Sequence, residues 1–203
     1  MPNSDHDHTA HRVRPLVKDL VDRPTEAAHS AIRDHVNAGD TVVDATLGNG
    51  HDTLFLAELV GSQGAVHGFD IQLEALQSVQ QKLEDEKLPQ IQLHHLGHEK
   101  MESVLPQQVQ AVMFNLGYLP GGDKQVITSA HSTIAALQAA LRLLSAKGIV
   151  TIVAYIGHPG GQEEADAVMN FCQTLDDKNF AVTLHQSSSK NPLAPFLITI
   201  ERV

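Results

Sequence analysis

Only one cysteine, Cys172, occurs in the 203 residues. No internal disulfide can form, and a zinc ribbon, which needs several thiolates, is excluded. A lone thiol suits a reducing compartment. Positive charge is also scarce: 14 Lys and Arg stand against 24 Asp and Glu, for a net charge of −10. A broadly basic coat for nucleic acid is thereby excluded, although a local basic patch is not. No apolar run approaches the roughly 18 residues of a membrane span. The polar, His-rich start, Met1 to His11, has no apolar stretch to serve as a secretion signal. A cytoplasmic protein with neither a membrane nor DNA as partner is expected.

What is present is a globular composition, with 42% hydrophobic residues and enough length to bury a core without staples. Residues 1–11 read as a flexible arm and residues 12–203 as one domain. His6, Asp7 and His8 in the arm are read as a solvated tail, with no metal site expected.

From Thr25 onward the pattern is regular. Ala28, Ala31, Ile32 and Val36 share one helical face. Thr41–Ala45 is a β-branched strand, followed by a Gly-containing loop and a helix carrying Phe55, Leu56, Leu59 and Val60. Ala65–Phe69, Ile91–His95 and Val109–Phe114 read as further strands, with a helix through Leu76, Val79 and Leu83. Ile134, Leu137, Leu141 and Leu144 form a helical stripe, expected to close at Lys147-Gly148 before the strand Ile149–Tyr155. A helix through Val168, Phe171, Cys172 and Leu175 precedes two last strands, Phe180–His185 and Pro195–Val203. Strands alternating with helices, then a terminal hairpin, predict an α/β fold with a mostly parallel sheet and an antiparallel edge.

In open α/β sheets, ligands bind beyond the carboxyl ends of the strands. There the sequence places Asp44-Ala-Thr46-Leu-Gly48-Asn49-Gly50-His-Asp52-Thr53, and Asp70 follows 20 residues after Gly50. The glycines allow close backbone approach, and a strand-end carboxylate can accept both hydroxyls of a ribose. A P-loop does not fit, because Asp123 stands where the phosphate-binding lysine would be. A dinucleotide fingerprint is also weak, since Thr53 replaces its last glycine. Asp44 and Asp52 would repel a pyrophosphate but suit S-adenosylmethionine, which carries a sulfonium and an ammonium. The plain alternative is a helix-capping turn with Asp52 or Thr53 as cap.

These stretches resemble the MnmM (YtqB) family of class I methyltransferases, which methylate the aminomethyl group of wobble uridine 34 in bacterial tRNA. The resemblance lies in Asp44–Thr53, Phe69–Gln72, Gly97–Glu99, Met113–Lys124, Tyr155–Gly161 and Pro195–Ile198, in order over roughly residues 25 to 203. It departs at the acidic arm, and at Gly97, where a serine is expected. It implies a Rossmann-like sheet of seven strands, mostly parallel, with an antiparallel C-terminal hairpin and helices on both faces. It implies S-adenosylmethionine as cofactor, with Asn49 and Asp52 at its methionine end. Asp70 and Gln72 would hold the ribose, and Gly97 and His98 the adenine. Asp44, Thr46, Gly48, Gly50, Thr53 and Asn115 complete the expected cofactor set.

Asn115-Leu-Gly-Tyr118 falls where methyltransferases acting on exocyclic amines carry an Asn or Asp followed by an aromatic. The Asn115 carbonyl can accept an N–H from the amine, and Tyr118 can stack on a base. A turn with a core tyrosine is the bland alternative. Asp123, His158 or water could take the amine proton. His158 either reaches the substrate or caps the helix starting near Gln162. Gly121-Gly122 and Gly160-Gly161 are candidate rim segments that close on the base. Lys124, Lys190, Arg12, Arg14, Lys18 and Arg23 are candidate phosphate contacts. The expected partner is the tRNA anticodon loop; oligomeric state stays open, a homodimer included. Competing readings keep the cofactor with an rRNA base or small-molecule amine as acceptor, or keep the fold as a nucleoside-sensing accessory subunit without chemistry.

Overall fold

The computed structural model describes residues 17–105, 108–119, 121–122 and 126–203. The arm over residues 1–11, with Arg12, Arg14, Asp123 and Lys124, lies outside them. The described residues begin with strand β1 (Val17–Val21) and helix α1 (Pro24–His35), then β2 (Thr41–Asp44), α2 (His51–Val60), β3 (Ala65–Asp70) and α3 (Leu73–Glu86). There follow β4 (Ile91–His95), β5 (Val109–Leu116), α4 (Ala130–Leu143), β6 (Leu144–Ala154), α5 (Gly161–Gln173), β7 (Phe180–Ser187) and β8 (Phe196–Arg202).

Among the described residues, eight strands join one sheet in the order β1-β7-β8-β6-β5-β2-β3-β4. The expected seven strands are thus exceeded by one edge strand, β1, which pairs parallel with β7. Its sequence, Val-Lys-Asp-Leu-Val, puts two charges at its centre, so no apolar alternation announces it. The terminal hairpin is present: β8 runs antiparallel between β6 and β7. β6 starts at Leu144, directly after α4 and earlier than the expected Ile149. The register slips between Val109 and Ala111 of β5, and Lys147 takes a left-handed φ of 59°, so residues 145–148 bulge without ending the strand.

Each face of the sheet is covered. Ile32 of α1, Leu56 of α2 and Val79 of α3 pack with Val42 and Val66 on one side. Leu137 of α4 and Val168 of α5 pack with Phe114 and Ile152 on the other. Leu137 and Phe114 are buried almost completely, and each such side chain contributes about 1.5–3 kcal/mol relative to exposure. From β2 the chain steps outward through β3 and β4, then returns to place β5 on the other side of β2 before stepping to β6. Strand order reverses between β2 and β5, and the loops leaving their carboxyl ends separate there to open a crevice.

Candidate functional site

The loop after β2 is held from below. The Asp44 carboxylate is completely buried, accepts the Thr53 hydroxyl at 2.7 Å and accepts the Thr46 N–H at 3.1 Å. Burial, and then the Asp52 charge, push its pKa up to about 7. Above the loop, the Gly48 N–H donates to Asp70 Oδ2 at 2.9 Å, and the Gln72 N–H donates to Asp70 Oδ1 at 2.9 Å. Gly50 has φ +80°, and a Cβ there would stand 2.7 Å from Val79 of α3, so only glycine lets the loop lie this close to the helix. Lys82, also on α3, donates to the Asn49 carbonyl at 3.0 Å.

Two cavities open over this framework. One, of about 350 Å³, is lined by Asp70, Ile71, Leu96, Gly97 and His98 among others. His98 is buried, lies 3.1 Å by Nδ1 from the Ala45 carbonyl and meets the Phe114 ring edge-on. Burial lowers its pKa, which favours the neutral ring. The space a side chain at Gly97 would need is taken by the Glu99 carboxylate. The second cavity, of about 750 Å³, is lined by His29, Asn49, Asp52, Tyr155, His158 and Leu193, with others. Thr46, Asn115, Gly117 and Tyr118 border both.

Asn115 is fixed at both ends. Its backbone N–H donates to Thr46 Oγ1 at 2.8 Å, and its side-chain Nδ2 donates to Asp52 Oδ2 at 2.6 Å. The other oxygen of Asp52 lies 2.6 Å from His29 Nε2. Asp52 sits in the first turn of α2, where the helix dipole favours a carboxylate. Beyond β5 the chain turns back, with Tyr118 bridging Ile127 and the Thr128 N–H donating to the Gly117 carbonyl at 2.9 Å. Thr128 and Thr133 donate to the buried Glu164 carboxylate, each at 2.6 Å, which ties this return to α5.

Most predicted residues therefore converge at one edge, in different roles. Thr46, Asn49, Asp52, Asp70, Gly97, His98, Asn115, Tyr118 and His158 line a cavity. Asp44, Gly48, Gly50, Thr53 and Gln72 are not among the lining residues and shape the loops around it. Neither capping alternative describes the structure: α2 is entered from Gly50 and α5 from Gly160, both without a side-chain cap. His158 meets Tyr118 edge-on with ring centres 5.8 Å apart. Its Nδ1 lies 3.0 Å from the Pro159 carbonyl, and its Nε2 is buried without a hydrogen-bond partner among the described residues. Asp123 lies outside the described residues. His94 lies 3.0 Å from His67 Nδ1 and stacks on Phe69. Among the described residues no group of three or more His, Cys, Asp or Glu is arranged to hold a metal.

His29, Tyr155 and Leu193 were not among the candidate site residues. Tyr155, directly after β6, was open to the strand-end rule. His29 gave only the faint signal of an imidazole beside an apolar helical stripe.

A doubly wound sheet with its crevice at the β2/β5 reversal, a glycine loop after β2 and an acid ending β3 define a class I methyltransferase. The family model described as "Putative rRNA methylase" matches residues 66–201, and this chain belongs to that family. It is 40% identical over 187 residues to the chloroplastic tRNA (mnm(5)s(2)U34)-methyltransferase of Arabidopsis thaliana, covering 87% of this chain and 68% of that one. A solved structure from Clostridium thermocellum with the same family description superposes with a TM-score of 0.87 at 42% identity, over 91% of this chain and all of that one (100%). The Streptococcus mutans protein SMU.1697c, crystallised in complex with SAH, gives a TM-score of 0.82 at 35% identity, over 91% and 100%.

Proposed function

We propose that the protein is an S-adenosylmethionine-dependent tRNA methyltransferase acting on the aminomethyl group of (2-thio)uridine at wobble position 34. The observation that carries this reading is Asn115, held at the border of two cavities of unequal size. The smaller suits an adenosine. Asp70 offers carboxylate oxygens to ribose hydroxyls, and the buried His98, Ile71 and Leu96 offer a partly apolar slot to a purine. Asn49 and Asp52 suit the amino-acid end. Among the described residues the lining of both cavities includes no lysine or arginine, which agrees with a cofactor that carries no phosphate. When bound, S-adenosylmethionine supplies a methyl group on a sulfonium, ready for in-line displacement by an amine.

The larger cavity suits a base brought to Asn115. Tyr118 and Tyr155, both 39% exposed, present ring surface there. With Nδ2 engaged by Asp52, Asn115 Oδ1 is the end of the carboxamide that takes no hydrogen bond from another described residue. It can accept an N–H of the amine and hold the nitrogen lone pair toward the methyl. An alkylammonium must first lose a proton. His158, as arranged, offers no accessible acceptor nitrogen, and the open cavity makes water the simplest acceptor. Burial and the Asp52 charge raise the Tyr155 pKa, so this phenol keeps its proton and its stacking role. The lone cysteine is buried, with a pKa pushed up by burial to about 12, and lines neither cavity, so it takes no part in the chemistry.

Mass spectrometry of tRNA nucleosides from a deletion strain tests the substrate. Loss of methylaminomethyl-uridine with build-up of aminomethyl-uridine is expected; an unchanged nucleoside profile would refute it. Labelled cofactor with separated rRNA and tRNA pools tests the rRNA alternative.

A further inference from the structure

The geometry points to His29 as a positioning residue for methyl transfer, acting through Asp52 on Asn115. The inference rests on the reading that Asn115 Oδ1 faces the acceptor amine. His29 stands on α1, ahead of the segment that the family model matches. Its ring is clamped, stacking on Phe55 of α2 with centres 3.9 Å apart and planes 7° apart. One turn further on, the Arg33 guanidinium covers the same Phe55 ring at 4.9 Å. This packing sets the imidazole edge against Asp52.

The chain of contacts has a direction. A carboxylate has only acceptors, so His29 Nε2 carries the hydrogen and donates to Asp52 Oδ1 at 2.6 Å. Asp52 Oδ2 in turn accepts from Asn115 Nδ2 at 2.6 Å. A carboxamide can present either end, and the flipped orientation would turn its oxygen toward a carboxylate that cannot donate. The Asn115 backbone is already held by Thr46. What remains free is the side-chain torsion, and Asp52 fixes it only while its own carboxylate is held. His29 supplies that hold. Charge-assisted bonds of this length are among the stronger hydrogen bonds in proteins.

The test uses the full chain, S-adenosylmethionine and tRNA bearing 5-aminomethyl-uridine. His29→Leu keeps apolar bulk against Phe55 but cannot donate. It should lower the single-turnover rate about 10- to 100-fold, a larger loss than any in SAH affinity by calorimetry or in KM for tRNA, whose contacts with Asp52 and the cavity lining it also disturbs. His29→Gln, which can still donate to Asp52, should recover most of the rate. His29→Glu, of similar length but without a donor when ionised, should not, and serves if His29→Leu fails to fold. A readout independent of turnover is the Asn115 side-chain amide in ¹⁵N spectra of the cofactor-free protein, identified by its loss in Asn115→Asp. Its resonance should shift in His29→Leu and stay near the wild-type position in His29→Gln. A donorless variant with wild-type rate and an unmoved Asn115 signal would overturn the proposal. So would His29→Gln as slow as His29→Leu. If the wild-type protein does not methylate this tRNA but the Asn115 signal still answers to His29, the acceptor reading falls and the linkage among the three side chains stands.

Discussion

Each oxygen of the Asp70 carboxylate takes one backbone N–H, from Gly48 on one side and Gln72 on the other. Asp70 thereby joins the glycine loop to the end of β3 while keeping lone pairs for a ligand. Asp70→Ala removes the acceptor and both anchors together. Two hydrogen bonds to a charged group are at stake, each worth about 1.5–3 kcal/mol, so SAH affinity by calorimetry should fall at least about 100-fold. Near-normal affinity would show that the smaller cavity is not the adenosine site. Asp70 was legible in the sequence because its signal is local: an acid ending a strand at a fixed distance from a glycine loop. The occlusion of His158 was not, because it depends on how Pro159 and Gly161 wrap the ring. The bond between His29 and Asp52 spans 23 residues, and no short-range pattern encodes it.

At the scale of elements, the helices and inner strands were readable from periodicity because each turns an apolar face to one side of the sheet. β1 was not, because an edge strand with a charged centre has no such face. The pair β3 and β4 hides a different feature. His67 is buried on β3, and its Nδ1 lies 3.0 Å from His94 Nε2 on β4, so one neutral ring donates and the other accepts. Burial first, and the neighbouring His94 second, lower the His67 pKa to about 4, against about 6.5 for an unfolded histidine. The unfolded chain therefore binds this proton more readily. The stability attached to the neutral ring is present above about pH 6.5 and is lost progressively as pH falls toward 4. Thermal melts of the wild type and His67→Leu from pH 7.5 to 4.5 should show the wild type losing more of its melting temperature on acidification. Parallel losses in the two proteins would mean that the pair does not drive acid sensitivity.

The whole molecule carries a net charge of −10, which sets how an RNA substrate can be held. A surface of this sign repels a phosphate backbone at long range, so affinity must come from a few local contacts beside the larger cavity. One edge of the sheet fits that need. The segment after β7 carries Lys190 and leads to Leu193, which lines the cavity, while the segment after β1 carries Arg23 and leads to Thr25, which also lines it. The two segments are joined where the Ser188 N–H donates to the Val21 carbonyl at 2.9 Å. Arg23 already pairs with Glu26, which leaves Lys190 as the better candidate of the two for a phosphate. Affinity for an anticodon stem-loop should therefore depend only shallowly on salt, as expected for few neutralised phosphates. Lys190→Ala should weaken binding similarly for different tRNA sequences and reduce the slope of log affinity against log salt by about 0.7–0.9, the share of one phosphate contact. SAH affinity should stay unchanged, because Lys190 lines neither cavity. Fluorescence anisotropy with labelled stem-loop at several salt concentrations measures the slope directly. A steep slope that Lys190→Ala leaves unaltered would move the RNA-binding surface away from this edge of the sheet.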